Sequence, residues 1–143
     1  PDPYPINLGG QPALLMHGDS LCTRDEEYMK ARTLLRSDTF QQDFLSKEMQ
    51  ERKVIAEQIR GKSQKVSSEK AEDIMDVTPE EVIRVMHQAK TPVLIHGHTH
   101  RPGVHKVDLH FGAGIRYVLG DWHTSMQFLR VTGSELELVK YTF

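Results

Sequence analysis

Val93-Leu94-Ile95-His96-Gly97-His98-Thr99-His100-Arg101-Pro102 runs an apolar segment into a glycine turn that carries three histidines within five residues. Val93 to His96 reads as a short buried strand, and Gly97 and Pro102 predict a turn after it. His98 and His100 then lie on a loop, free to diverge toward two neighbouring metal ions. Imidazole is the commonest protein ligand for a divalent metal, and a strand end followed by a loop presents ligands in fixed directions. A single histidine at a strand end is ordinarily packed or solvated. Three, bracketed by a glycine and Arg101-Pro102, point to metal chemistry.

Upstream, Pro12-Ala13-Leu14-Leu15-Met16-His17-Gly18-Asp19 repeats the layout of an apolar run ending in His-Gly. Both runs are continuous rather than alternating, which suits strands covered on both faces, and helical signals fill the interval between them. They read as adjacent strands of one sheet. Ligands in open α/β sheets gather beyond the carboxyl ends of the strands, so His17, His98 and His100 are expected at one rim. Asp19 orients a ligand or caps the next segment, and His96 is buried or supports a ligand. Trp122 is expected to pack beside the site.

Around these strands the chain divides into three parts. Residues 1–22 begin with a proline-spaced lead and turn (Pro1, Pro3, Pro5, Gly9, Gly10) before the Ala13 to His17 strand. A polar helical region follows, from about Thr23 to Ala89. Thr23 with Glu26, and Thr78-Pro79 with Glu81, form capping-box patterns. Phe40, Phe44, Val54, Ile55 and Ile59 mark an apolar helical stripe, and Gly61 is a candidate helix end. The last part reads as strands at Val93 to His96, Val104 to His110, Ile115 to Leu119, Met126 to Thr132 and Leu136 to Tyr141, with turns at residues 111–114 and 132–135.

The helical region holds a second cluster. Arg60, Lys62, Lys65 and Lys70 stand against Glu69 alone in RGKSQKVSSEK, interleaved with Ser63, Ser67 and Ser68. Arg60, Ser63, Ser67 and Lys70 advance by three, four and three residues, the spacing of one helix face. Cations and hydroxyls at that density suit a phosphate group; a solvated basic face is the competing reading.

Composition sets bounds. The 143 residues suffice for one domain, a net charge of −2 gives no general case for nucleic-acid binding, and the single Cys22 excludes an internal disulfide framework. Cys22 reads as a small buried filler. No stretch approaches the length of apolar sequence that spans a bilayer.

The pairing of His-Gly-Asp at residues 17–19 with Gly-His-Thr-His at 97–100 resembles the calcineurin-like metallophosphoesterases. Three longer strings, LLMHGDSLCTRDEEY, KSQKVSSEKAEDIMDVTPEEV and LIHGHTHRP, are similar to those of the UDP-2,3-diacylglucosamine hydrolase family within that superfamily. The resemblance implies an α/β fold, part of a metallophosphoesterase β-sandwich flanked by helices. Residues 1–143 would form the C-terminal part of a single domain, about three-fifths of such a protein, with residues 23–76 as a helical lid insertion. It also implies two divalent ions, typically Mn²⁺, with His17 and His98 on one and His100 on the other. Asp25, Ser63, Ser67, Lys70 and His98 would contact the substrate. Arg60 and Tyr28 would be neighbours, and Phe40, Phe44, Leu45 and Met49 an acyl groove or simply helix packing.

The implied reaction is hydrolysis of the pyrophosphate bond of UDP-2,3-diacylglucosamine in lipid A biosynthesis, at the cytoplasmic face of the inner membrane. The chain departs from the family pattern in having no Asp-x-His ahead of His17 and no Gly-Asn segment. An N-terminal portion that supplies these is expected outside it, and the activity is expected of the complete protein. Two other readings fit the residues: a binuclear phosphoesterase for nucleotides or proteins, which would not need the Arg60 to Lys70 segment, and a non-enzymatic metal-binding domain.

Overall fold

A computed structural model describes residues 2–68, 70, 71 and 74–143, without the side chains of Val66, Ser67 and Ser68. Two compact units are present: Pro1–Leu21 with Val77–Phe143, and Cys22–Asp76 between them in sequence.

The first unit is built on strands β1 (Tyr4–Leu8), β2 (Gln11–Met16), β3 (Val93–His96), β4 (Gly103–Leu109) and β5 (Gly112–Val118), in the sheet order β1-β2-β3-β5-β4. The two apolar runs are neighbours as expected: β2 and β3 are parallel, with Ala13 opposite Val93 and Met16 opposite His96. β5 continues the sheet parallel to β3, while β1 and β4 close the edges antiparallel. All four residues of β3 are buried. A central strand must be apolar on both faces, which explains its unbroken run.

On one face, Ala13, Val93, Ile95 and Tyr117 form a core packed by Leu129, Leu136 and Leu138. Those leucines come from a separate antiparallel pair, β6 (Ser125–Thr132) and β7 (Glu135–Thr142). The Tyr117 hydroxyl donates to the Leu136 carbonyl, and burial raises its pKa above the ordinary tyrosine value. The other residues of β2, β3 and β5 point to the opposite face. Leu94 and Val118 are fully buried there, as is Met86 of helix α4 (Pro79–Ala89). Along α4, Val82 and Met86 fall four residues apart on its buried stripe.

The second unit holds α1 (Glu26–Leu35), α2 (Asp38–Ser46) and α3 (Met49–Ser68). Among the described residues no helix is long and apolar enough to cross a membrane. Cys22 is buried, a placement compatible with a small buried filler.

Several expectations are corrected. The proline-spaced lead contains β1, because Pro5 sits on an edge strand where a missing N–H is tolerated, and Gly9 and Gly10 make the hairpin turn with positive φ. Asp25, not Thr23, caps α1, and its side chain accepts from the Tyr28 N–H. Gly61 does not end α3, which continues to Ser68; an isolated glycine costs a helix only about 1 kcal/mol. The apolar stripe from Phe40 to Ile59 is divided between α2 and α3. Thr78 is the N-cap of α4 with proline at the first position, but its side chain makes no cap hydrogen bond.

Candidate metal centre

β2 and β3 end in register, so the residues that follow them leave the sheet side by side. The Gly97 N–H donates to the His17 carbonyl at 3.1 Å, extending the ladder by one bond. His17 and His98 thereby come together, with ring centroids 5.0 Å apart and planes at 63°. His98 and His100 both adopt positive φ, 68° and 53°, a left-handed conformation that few residues with a Cβ take up. His100 stands beside a different group: its Nδ1 is 3.6 Å from Asp121 Oδ2, and His123 Nε2 is 3.3 Å from the same oxygen.

The donors fit a divalent cation in kind and fall short in number. Among the described residues no three His, Cys, Asp or Glu side chains come together as a complete ligand set. Two imidazoles at adjacent strand ends are half of a tetrahedral shell or a third of an octahedral one, and the remainder needs further donors.

Gly18 is required where it stands. Its φ is 104°, and a Cβ there would lie 2.7 Å from His96 Nδ1 and 3.1 Å from the Gly97 carbonyl oxygen. Gly18→Ala is expected to lower stability by about 1–3 kcal/mol and to shift the His17 and His98 ring resonances. Thermal unfolding and side-chain NMR check it; unchanged spectra would refute the steric argument.

Asp19 opens a single turn of 3₁₀ helix, Asp19–Leu21, and is buried at that strand end. His105 lies exposed on β4. His110 packs against His87 and Phe111, with ring centroids 4.1 and 5.0 Å away, and its N–H donates to His87 Nε2. Trp122 is 64% exposed, donates to the Gln127 carbonyl, and lines an apolar pocket of about 320 Å³ with Ile6, Leu15 and Phe128. It belongs to the contact between the sheet and the β6–β7 pair, rather than to the imidazoles.

In the helical unit, Asp25 and Lys70 meet. Lys70 Nζ is 2.5 Å from Asp25 Oδ1 and 3.2 Å from Glu27 Oε2, with the Lys70 and Asp25 side chains only 15% and 10% exposed. Desolvation pulls the Lys70 pKa down, but the bonds to Asp25 and Glu27 prevail and raise it above 10.5. A raised lysine pKa stabilises the folded state at neutral pH, and that contribution is lost only as pH climbs through the raised value. Lys70 lies beyond α3 and so does not extend the face of Arg60 and Ser63 as the spacing suggested. The side chain of Ser67 lies outside the described residues.

Arg60, Ser63 and Gln64 form the polar side of a groove of about 440 Å³ whose apolar wall includes Leu35, Phe40, Phe44 and Ile59. Leu45 and Met49 are not in that wall; both are exposed. Asp121 and Arg116, which touch the histidine cluster, were not singled out in the sequence. Asp121 follows β5 in Leu119-Gly120-Asp121, the same apolar-run-then-glycine layout that marked His17 and His98.

No family profile matches the chain. Among individual proteins it is 49% identical over 118 residues to a UDP-2,3-diacylglucosamine hydrolase of Cellvibrio japonicus, covering 82% of this chain and 49% of that protein. It is 44% identical over 142 residues to one from Pseudomonas fluorescens, covering 99% of this chain and 57% of that protein. A third, from Tolumonas auensis, is 43% identical over 140 residues, 97% of this chain. The chain is thus a relative of proteins named UDP-2,3-diacylglucosamine hydrolase, and it spans 49–57% of their length.

Proposed function

We propose that a protein carrying this chain hydrolyses the pyrophosphate bond of UDP-2,3-diacylglucosamine to 2,3-diacylglucosamine 1-phosphate and UMP, a step of lipid A biosynthesis. The observation that carries this reading is similarity across 99% of the chain to proteins of that name. The imidazole pair at the β2 and β3 ends supports it, since phosphoryl transfer to water is work for metal-ligating groups.

His17, His98 and His100 are the residues that would hold two divalent ions, Mn²⁺ by the family resemblance. Such ions, when bound, neutralise charge on the phosphoryl oxygens and activate water at neutral pH. Carboxylate ligands are expected from the part of the relatives that this chain does not span. The superfamily's β-sandwich fits a sheet packed on a second antiparallel pair.

The helical unit is read as the substrate-binding lid insertion. Its groove offers apolar wall to an acyl chain, with the Arg60 guanidinium and Ser63 hydroxyl at one side for a polar head. Asp25, Ser63, Ser67 and Lys70 are the proposed polar contacts, with His98 serving both metal and substrate. Lys70 is held by Asp25 and Glu27, so it would meet the sugar phosphate already fixed in place and lose little side-chain entropy on binding. A diacylated substrate resides in a bilayer, which makes the cytoplasmic face of the inner membrane the expected place of work.

Ser63→Ala and Lys70→Met are expected to lower kcat/KM for UDP-2,3-diacylglucosamine roughly tenfold each, the worth of a charge-assisted hydrogen bond, and to spare a small phosphodiester. Equal loss on both substrates, or none, would favour a phosphoesterase of different specificity. Full Mn²⁺ occupancy without hydrolysis of either would favour a binding role.

A further inference from the structure

His96 is fully buried at the end of β3, and each of its ring nitrogens has a partner that constrains it. Arg116 Nη1 is 3.1 Å from Nε2, and the Gly97 carbonyl oxygen is 2.9 Å from Nδ1. A guanidinium carries donors only, so Nε2 must offer its lone pair. The ring proton therefore sits on Nδ1 and is donated to the Gly97 carbonyl. Sheet register explains the first contact: Arg116 is opposite Leu94 and Val118 opposite His96, which places Arg116 on the His96 face, two residues along the neighbouring strand.

The Gly97 carbonyl is the pivot of the histidine turn. It also accepts from the Thr99 N–H at 2.8 Å, while the Gly97 N–H is bound to His17. Beyond it, His98 and His100 both hold left-handed backbone, at roughly 1–2 kcal/mol each for residues with a Cβ. Such a conformation persists only where its surroundings over-determine it. The bonds on Gly97 supply that determination. Gly18, lacking a Cβ, lets the His96 ring lie against the end of β2 as well.

We infer that Arg116 and His96 are positioning residues: the guanidinium selects the His96 tautomer, and the imidazole holds the Gly97 carbonyl and with it the turn that sets His98 beside His17. The use of this device in metal binding rests on the function proposed above; the positioning itself does not.

Side-chain ¹⁵N NMR of the purified, metal-free protein tests the first link. His96 is expected with its proton on Nδ1, and a proton on Nε2 would overturn the inference. Arg116→Met is then expected to move the His17 and His98 ring resonances and to weaken Mn²⁺ binding, followed by EPR titration, roughly tenfold. Arg116→Lys, which keeps a donor, should recover much of both. Parent-like His98 resonances in Arg116→Met would count against positioning. If the parent protein itself binds no Mn²⁺, the metal reading fails, and the resonance shifts alone decide positioning, by the same criterion. Should Arg116→Met not fold, His96→Asn and His96→Leu replace it. Asn keeps a donor for the Gly97 carbonyl and should leave His98 nearer its parent environment than Leu does; equal disturbance by both would overturn the inference.

Discussion

Replacing His98 by alanine is expected to lower Mn²⁺-dependent turnover of UDP-2,3-diacylglucosamine about a thousandfold. A metal acting as Lewis acid supplies several kcal/mol to phosphoryl transfer, and about 4 kcal/mol corresponds to three powers of ten in rate. His98 is the donor whose loss reaches furthest, because it stands at 5.0 Å from His17 and is also the proposed substrate contact. The substitution is mild for the fold. At φ 68° histidine already bears the left-handed cost, and alanine bears a similar one, so stability should change by no more than about 1 kcal/mol. Steady-state kinetics at saturating Mn²⁺, beside thermal unfolding of the same sample, separates the two effects. A His98→Ala protein that folds normally and keeps activity within tenfold of the parent would remove this histidine from the site.

Leu94→Ala should produce the largest loss of stability, about 2–5 kcal/mol, lowering Tm by roughly 10 °C. Leu94 has no exposed surface, and its strand is hydrogen-bonded on both sides, to β2 and to β5. A strand so held cannot move inward to fill the space vacated by an isobutyl group, which puts the cost toward the upper part of the range. Leu45, 62% exposed on α2, provides the contrast: Leu45→Ala should shift stability by no more than about 0.5 kcal/mol. Calorimetry or circular dichroism melts compare them directly. Similar melts for the two variants would mean that β3 is not the packed centre of its unit.

The sequence displayed the strands that matter most and obscured how they are supported. Val93 to His96 was legible because a strand buried on both faces is apolar at every position, a pattern independent of its partners; Ala13 to His17 shows the same apolar run although Leu15 is 39% exposed. The meeting of His17 and His98 followed from the two His-Gly endings. β1 was not legible: Pro3 and Pro5 read as a lead, since an edge strand needs only half of its hydrogen bonds and tolerates residues a central strand rejects. The Lys70 contact was hidden for a different reason. Periodicity reports only the face of a continuous helix, and the chain leaves α3 before Lys70, which reaches instead to Asp25, distant in sequence. Arg116 was hidden because an arginine within a strand pattern looks solvent-facing until a buried acceptor such as His96 is found on the same face of the neighbouring strand.

The in-register ending of β2 and β3 divides the chain into parts that tolerate editing differently. The strand ends that carry the two imidazoles are brought together by ladder hydrogen bonds, four residue pairs from Ala13–Val93 to Met16–His96, and their spacing owes nothing to the length of the connection between the strands. Residues can be added, lost or exchanged among α1, α2 and α3 without altering that spacing. A single deletion between Ala13 and Met16, by contrast, would turn every later side chain of the strand to the opposite face and carry His17 away from its partner. If the helical unit binds substrate as proposed, specificity can therefore drift by insertion in that segment while the histidine pair stays where it is.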